Sequence, residues 1–406
     1  VGSGKTAVAV SAIAVALMHG KQAALMAPTS ILAEQHYRNI SLALEQTPLE
    51  VLPYGRPPAA ALLTGSISSS ERERVLAGLA DGSIDVVIGT HAIISEGVAF
   101  KELALTVIDE QHRFGVEQRG ALRGKGTNPH LLVMTATPIP RTLALTVHAD
   151  LDLSLLDEMP PGRIPVKTYI VPPGRRESAY EWIEGELQQG HQAFVVYPLV
   201  EASETITEAK AAVEEYEKLQ GVFHRFKVGL LHGKMKPAEK EQVMADFRDR
   251  RFDVLVTTSV AEVGVDIPNA TVIMMEGANR FGLAQLHQFR GRVGRGGFPS
   301  YCLLISDTND AAAIERLKIV RDNPDGFKLA EEDFRQRGAG DLIGTRQSGQ
   351  GNLRFQLGEM MTPEMVELAQ REARTLYEED PDLKLQEHRL LAQRVEMLKD
   401  ERTDVS

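Results

Sequence analysis

The sequence predicts an α/β fold, with two parallel-sheet domains in series and a helical, glycine-rich extension after them. Three observations carry that prediction. Short apolar runs alternate with longer segments of helical period. The runs are apolar at consecutive positions, as strands covered by helices on both faces must be. A Pro/Gly-rich stretch at residues 159–165 divides the runs into two series.

The first series places strands at 23–26, 86–89, 104–108 and 131–135, with helices at 7–17 and 31–43. The second places strands at 193–197, 228–231, 254–257, 272–275 and 301–305, with helices at 178–189 and 238–248. Domains are therefore expected at 1–158, 165–320 and 321–406. The third segment opens on a charged run at 331–337, continues with glycines at 338, 340, 344, 349 and 351, and closes on a polar helical tail from 363 to about 399.

An apolar content of 43% with 25% charged residues in 406 is ordinary for a globular chain. No apolar run is long enough to span a bilayer, and no export signal opens the chain. The single cysteine, Cys302, excludes an internal disulfide framework and a cysteine zinc site, and its apolar neighbours predict a packed core thiol. The formal charge of −11 weighs against nucleic acid bound across the whole surface. A local basic or amide-lined groove is nevertheless enough to track one backbone. The chain opens inside a motif and without methionine, so a fragment of a longer protein is expected.

That opening motif, Val1-Gly2-Ser3-Gly4-Lys5-Thr6, reads as the end of a phosphate-binding loop. Gly2, Ser3 and Gly4 let backbone amides curl around phosphate oxygens. Lys5 reaches the β and γ phosphates, and Thr6 ligates magnesium. Further on, an apolar strand ends in Asp109-Glu110. A carboxylate at the carboxyl end of a parallel strand lies in the ligand crevice. Asp109 there suits the metal, and Glu110 suits the attacking water. Small polar residues after alternate strands suit sequence-independent phosphate contact: Pro28-Thr29, Thr64-Gly65 and Thr90-His91 in the first series, His232-Gly233 and Thr257-Thr258 in the second. Each of these taken singly is also ordinary turn chemistry.

Together these strings resemble the superfamily 2 helicases. Asp109-Glu110-Gln111-His112 resembles the second motif of that superfamily, and Thr135-Ala136-Thr137-Pro138 the third. Gly264-Val265-Asp266 resembles the fifth, and Gln285, Gln288 and Arg290-Gly291-Arg292-Val293-Gly294-Arg295 the sixth. The resemblance implies two RecA-like domains with Mg2+ and ATP between them. It implies Arg292 and Arg295 at the γ-phosphate, Gln285 and Asp266 beside the nucleotide, and Thr135 and Thr137 linking hydrolysis to movement. The extended strings from Asp109 to Gln118 and from Thr135 onward resemble the RecG family of branched-DNA helicases more specifically. The glycine-rich segment from Asp333 to Gly349 agrees, resembling a motif shared by RecG and the transcription-repair coupling factor, and there Arg337, Arg346 and Gln347 are the implied coupling contacts.

Membership would imply action on forks and Holliday junctions in recombination and repair, a monomeric state, contact with a single-stranded DNA-binding protein, no membrane, and a bacterial cytoplasmic, nucleoid-associated location. An upstream wedge domain that splits the branch point has no counterpart in these residues. Two rival readings stand beside this one: a transcription-repair coupling translocase, and a catalytically inactive DNA-binding module.

Overall fold

The computed structural model describes residues 2–46, 48, 50, 52–53, 55–110, 125–126, 128–135, 151–160, 162–198, 205–258, 266–337 and 363–403. The chain falls into two compact units, Val1–Thr137 with Leu156–Pro324, and Pro138–Leu155 with Asp325–Ser406.

The first unit holds two parallel sheets. One comprises β1 (Gln22–Met26), β2 (Ala60–Leu63), β3 (Val86–Gly89), β4 (Leu103–Asp109) and β5 (His130–Met134), in the order β2-β3-β1-β4-β5. The other comprises β6 (Lys167–Val171), β7 (Gln192–Val196), β8 (Val228–Leu231), β9 (Val254–Thr257), β10 (Ala270–Met275) and β11 (Tyr301–Ile305), in the order β6-β11-β10-β7-β9-β8. Helices α1 (Lys5–Met18), α2 (Ser30–Glu45) and α3 (Ser69–Asp81) accompany the first sheet. The second carries α4 (Arg176–Gln188), α5 (Thr205–Val222), α6 (Pro237–Arg248), α7 (Leu283–Arg290) and α8 (Ala311–Asp322).

The central strands are buried on both faces, which is why they read as unbroken apolar runs. Along β1, Ala23 and Leu25 pack with Ile13, Leu17 and Ile40, while Ala24 and Met26 pack with Leu79 and Ile93 on the opposite face. Helix α1 contributes Ala9, Ile13 and Leu17, spaced four apart so that they share one stripe. Every strand expected from the sequence is present. Two of the four edge strands, β2 and β6, escape that reading. On β6, Lys167 and Tyr169 are more exposed than Thr168 and Ile170, so the run is half apolar. β2 is only four residues, two of them alanine.

Both sheets are pinned by the same polar staple. Gln22, at the start of β1, donates its amide to the carbonyls of Leu79 (2.9 Å) and Ile84 (2.8 Å), and its Oε1 accepts from the Glu102 amide. Gln192, at the start of β7, donates to the carbonyls of Phe247 (2.6 Å) and Phe252 (2.7 Å), and its Oε1 accepts from Asn269. Asp85 and Asp253, each just before a strand, accept from the backbone amides of Ala59 and Lys227. The second sheet thus repeats the first in these hydrogen bonds. Gln192→Leu leaves the Phe252 carbonyl without its side-chain donor, whereas the Phe247 carbonyl keeps the Arg250 amide, so an expected loss of about 1–2 kcal/mol follows. Urea unfolding measures it, and a change below about 0.5 kcal/mol, the size of an ordinary surface substitution, would contradict the role.

Cys302 on β11 is fully buried, and burial pushes its thiol up to about 12, so it is a packed and unreactive group.

The second unit holds α9 (Gly326–Arg337), α10 (Pro363–Glu379) and α11 (Arg389–Thr403). The tail expected as one helix is broken between α10 and α11. Asp380 stops it by accepting from the backbone amides of Leu385 and Lys384 and from His388 Nδ1 (2.8 Å). These bonds, that of Leu385 foremost, hold its carboxyl below the usual range. No described helix is long and apolar enough to cross a membrane.

Candidate nucleotide site and nucleic-acid track

The site is built where glycines meet a helix start. Gly2 and Gly4 have φ of 74° and 90°, a left-handed backbone that other residues adopt at a cost. Gly4 is the N-cap of α1 and forms no side-chain cap, and the first turn of α1 carries no acid. The helix therefore presents its positive end without an internal counter-charge. Arg163, from the Pro/Gly-rich stretch, lays its guanidinium in the space that a Cβ at Gly2 would need.

Lys5 lies at the centre of the charges. Burial depresses its pKa, Glu110 and then Asp109 oppose that shift, and Arg295 and Arg292 reinforce it. One lysine from the first sheet thus feels two carboxylates from its own sheet and two guanidiniums from the other. Asp109 ends β4 and is 9% exposed. Its Oδ1 accepts from the Glu110 amide (3.1 Å) and its Oδ2 from His36 Nε2 on α2 (2.9 Å). Glu110 has φ of 53°, left-handed backbone for a residue with a Cβ, costing on the order of 1–2 kcal/mol. Strain of this kind persists where surrounding structure enforces it. Thr6 is half-buried in the first turn of α1.

From the second sheet, Arg292 is 5% exposed. Arg295 donates Nε to the Gly291 carbonyl (3.1 Å), and its NH1 pairs with Asp266. Burial, with Arg163 adding to it, lowers the Arg295 pKa. Asp266 also accepts from Gln35 Nε2 (3.1 Å) and donates its amide to Gln35 Oε1 (3.1 Å). Gln285 is half-buried on α7, which leads straight into Gly291-Arg292.

Arg290, in the same basic string, has a different task. It donates to the carbonyls of Val320 (2.6 Å), Asn323 (2.9 Å) and Pro324 (3.2 Å), and so caps the end of α8. Burial, then Arg290 and Arg163, push His287 down to about 3, so its ring is neutral and Nδ1 accepts from Arg290.

These residues fit Mg-ATP. Four cations gather beside an uncapped helix start, and burial lowers the pKa of Lys5, Arg163 and Arg295. A polyanion relieves such an arrangement. Among the described residues no cluster of three or more His, Cys, Asp or Glu could hold a metal alone. Mg2+ binds through one or two protein oxygens and substrate phosphates, and Thr6 with the Asp109 carboxylate offers such oxygens.

The residues read as a nucleic-acid track fall at the carboxyl ends of adjoining strands. Pro28-Thr29, Thr64-Gly65 and Thr90-His91 follow β1, β2 and β3, which are neighbours in the order β2-β3-β1. His232-Gly233 follows β8, and Thr257-Thr258 spans the end of β9 beside it. Gly65, His91 and Gly233 are exposed, whereas Thr64, Thr90, Thr257 and Thr258 are buried. The Thr64 hydroxyl bonds Ser66 and that of Thr257 donates to the Thr258 carbonyl, the Thr90 and Thr258 amides donate to the Leu63 and Leu231 carbonyls, and the buried Thr258 hydroxyl has no partner among the described residues. Thr29 accepts from the Leu32 amide (3.3 Å) and caps α2. Burial lowers the His232 pKa, with Lys240 adding to it.

Thr135 is half-buried just past β5. Gln111, His112, Thr137, Gly264, Val265, Arg346, Gln347 and the Arg337 side chain lie outside the described residues. Sequence reasoning passed over Gln35, His36 and Arg163. His36 sits in a helical run where it reads as core, and Arg163 in a stretch that reads as linker.

Comparison with known proteins places these segments in families. Residues 1–146 match the DEAD/DEAH box helicase family, residues 176–297 the helicase conserved C-terminal domain, and residues 323–406 the C-terminal part of domain 3 of the ATP-dependent DNA helicase RecG. The ATP-dependent DNA helicase RecG of Synechocystis is 49% identical over 387 residues, covering 94% of this chain and 45% of that protein. The RecG of Bacillus subtilis is 45% identical over 401 residues, covering 98% and 57%. The chain thus spans about half the length of these relatives. Among solved structures, RecG bound to a three-way DNA junction superposes with TM-score 0.74 at 44% identity, covering 92% of this chain and 46% of that one. Yeast Dbp5 bound to RNA and ADP BeF3 matches at TM-score 0.54 with 18% identity, a likeness of fold alone.

Proposed function

The chain belongs to the RecG family of ATP-dependent DNA helicases, and from that premise we propose that it is the ATP-hydrolysing motor of a protein that moves along branched duplex DNA. One observation carries the motor reading. Lys5 lies within the electrostatic reach of Asp109 and Glu110 from one sheet and of Arg292 and Arg295 from the other.

Bound Mg-ATP supplies the phosphoryl group whose transfer to water drives motion. The amides of Gly2, Ser3 and Gly4 cradle its phosphates, and Lys5 neutralises the β and γ oxygens. Thr6 and Asp109 are the residues that would hold Mg2+. Glu110 takes the proton of the attacking water. Arg292 and Arg295 meet the charge that develops at the γ position, and Asp266 and Gln285 line the nucleotide beside them. Because these groups come from two sheets, gaining and losing the γ-phosphate changes how strongly the sheets attract one another. The strand-end residues from Pro28-Thr29 to Thr257-Thr258 hold the DNA backbone on each sheet. Thr135, Thr137, Arg337, Arg346 and Gln347 carry the change to that grip.

Forked DNA and Holliday junctions are the proposed substrates, which places the protein in recombination and repair. The resemblance of residues 323–406 to RecG domain 3 favours this over polymerase displacement. The test compares the full-length protein on three substrates: a linear duplex, a model fork and a stalled transcription complex. ATP turnover stimulated most by the fork, with regression of that fork, is expected. Efficient displacement of polymerase without fork regression would reject the assignment, and absence of DNA-stimulated turnover would reject the motor itself.

A further inference from the structure

Two adjacent side chains on α2 touch both halves of the nucleotide site, and no sequence motif discussed above used either. His36 is 6% exposed, and its Nε2 bonds Asp109 Oδ2 at 2.9 Å. Its Nδ1 is buried with no partner among the described residues. Packing alone would favour an aliphatic residue there, since an unsatisfied ring nitrogen is a burden in an apolar setting. Among the described residues its one polar bond goes to the carboxylate that ends β4. Gln35, the preceding residue, makes a two-way bond with Asp266, accepting from its amide and donating to its Oδ2, both at 3.1 Å. The other oxygen of Asp266 holds Arg295.

Helix α2 begins at Thr29, which caps it and belongs to the strand-end residues proposed to hold DNA. Its second turn therefore carries His36 on the metal-side aspartate and Gln35 on the partner of the arginine. A helix moves as a rigid unit over so short a span. A shift of its first turn against DNA reaches Asp109 and the Asp266–Arg295 pair together.

We infer that α2 is the element that links DNA contact to the nucleotide site, with His36 positioning Asp109 for Mg2+ and Gln35 latching Asp266 and, through it, Arg295. Both are positioning residues, and neither touches the reacting atoms. The inference rests on the proposed Mg-ATP site.

The test is binding of a fluorescent ATP analogue to the full-length protein, titrated with and without Mg2+ and with and without forked DNA. His36→Gln keeps a donor at the reach of Nε2, whereas His36→Leu fills the space without one. Loss of a bond that orients a metal ligand costs about tenfold or more in metal affinity. The Leu variant is therefore expected to need about tenfold more Mg2+ for the same analogue affinity, and the Gln variant to stay near wild type. Gln35→Leu is expected to keep the Mg2+ dependence and to lose the DNA-induced change in analogue affinity, a coupling of about fivefold or more between sites. A Leu variant at position 36 with wild-type Mg2+ dependence overturns the inference. So does a Gln variant as impaired as the Leu variant, because that assigns His36 to packing. A Gln35→Leu protein with intact DNA coupling removes the latch. If Lys5→Ala binds the analogue as wild type does, the nucleotide-site reading itself falls.

Discussion

Glu110→Gln keeps ATP binding and lowers turnover by at least about a hundredfold, within the range that a positioned general base supplies. Glu110 follows the strand-end aspartate and is held by left-handed backbone, with its amide on Asp109 Oδ1. It is also the charge that most strongly opposes the burial of Lys5. Glutamine has the same length and preserves the backbone bond, so the loop is retained. What it loses is the ability to accept the proton of water. Phosphate release at saturating forked DNA gives the rate, and a fluorescent ATP analogue gives the affinity. A variant within a few-fold of the wild-type rate would remove Glu110 from the chemistry.

Arg295→Ala lowers turnover on the order of a thousandfold, the lower end of what an arginine at a transferring phosphoryl group contributes. Arg295 is already oriented, with Nε on Gly291 and its NH1 on Asp266. Deleting it removes one of the two charges that reach Lys5 from the opposite sheet. Arg295→Lys is expected to recover little, because a single ammonium cannot hold Asp266 and reach a phosphate with the same planar fork. Single-turnover hydrolysis separates this effect from product release. An alanine variant that keeps a tenth of the rate would assign Arg295 to structure, as Arg290 is assigned by its three carbonyl partners.

How much of this could be read from the residues depended on burial. Central strands such as β1 and β10 are covered on both faces, so their apolar runs announced them. The edge strand β6 is covered on one face, and an alternating Lys167-Thr168-Tyr169-Ile170 does not stand out beside a proline cluster. The repeat between the sheets was present in the chain, as Lys21-Gln22-Ala23 and His191-Gln192-Ala193. It stayed hidden because one shared glutamine has no periodicity to reveal it, and only the bonds to Leu79 and Phe247 give it meaning. Lys5 and Asp109 stand out in the chain because phosphate chemistry permits few residue types at a strand end or after a glycine loop, and the fold brings them within electrostatic reach of one another. His36, Gln35 and Arg163 do not stand out, since their roles depend on which distant side chain they meet. In the basic string at 290–295 the family resemblance singled out Arg292 and Arg295, but nothing in the string announced the capping role of Arg290, which depends on the carbonyls of Val320, Asn323 and Pro324.

The central claim is that one triphosphate is held by side chains of both sheets at once. Affinity for ADP with a planar metal fluoride, which imitates the phosphoryl group in flight, tests it most directly. Wild-type protein with Mg2+ and forked DNA should bind that complex far more tightly than ADP alone. Arg292→Ala and Arg295→Ala should each abolish the difference while leaving ADP affinity as it was. If both variants bind the transition-state mimic as wild type does, the guanidiniums of the second sheet do not meet the nucleotide and the sandwich is wrong.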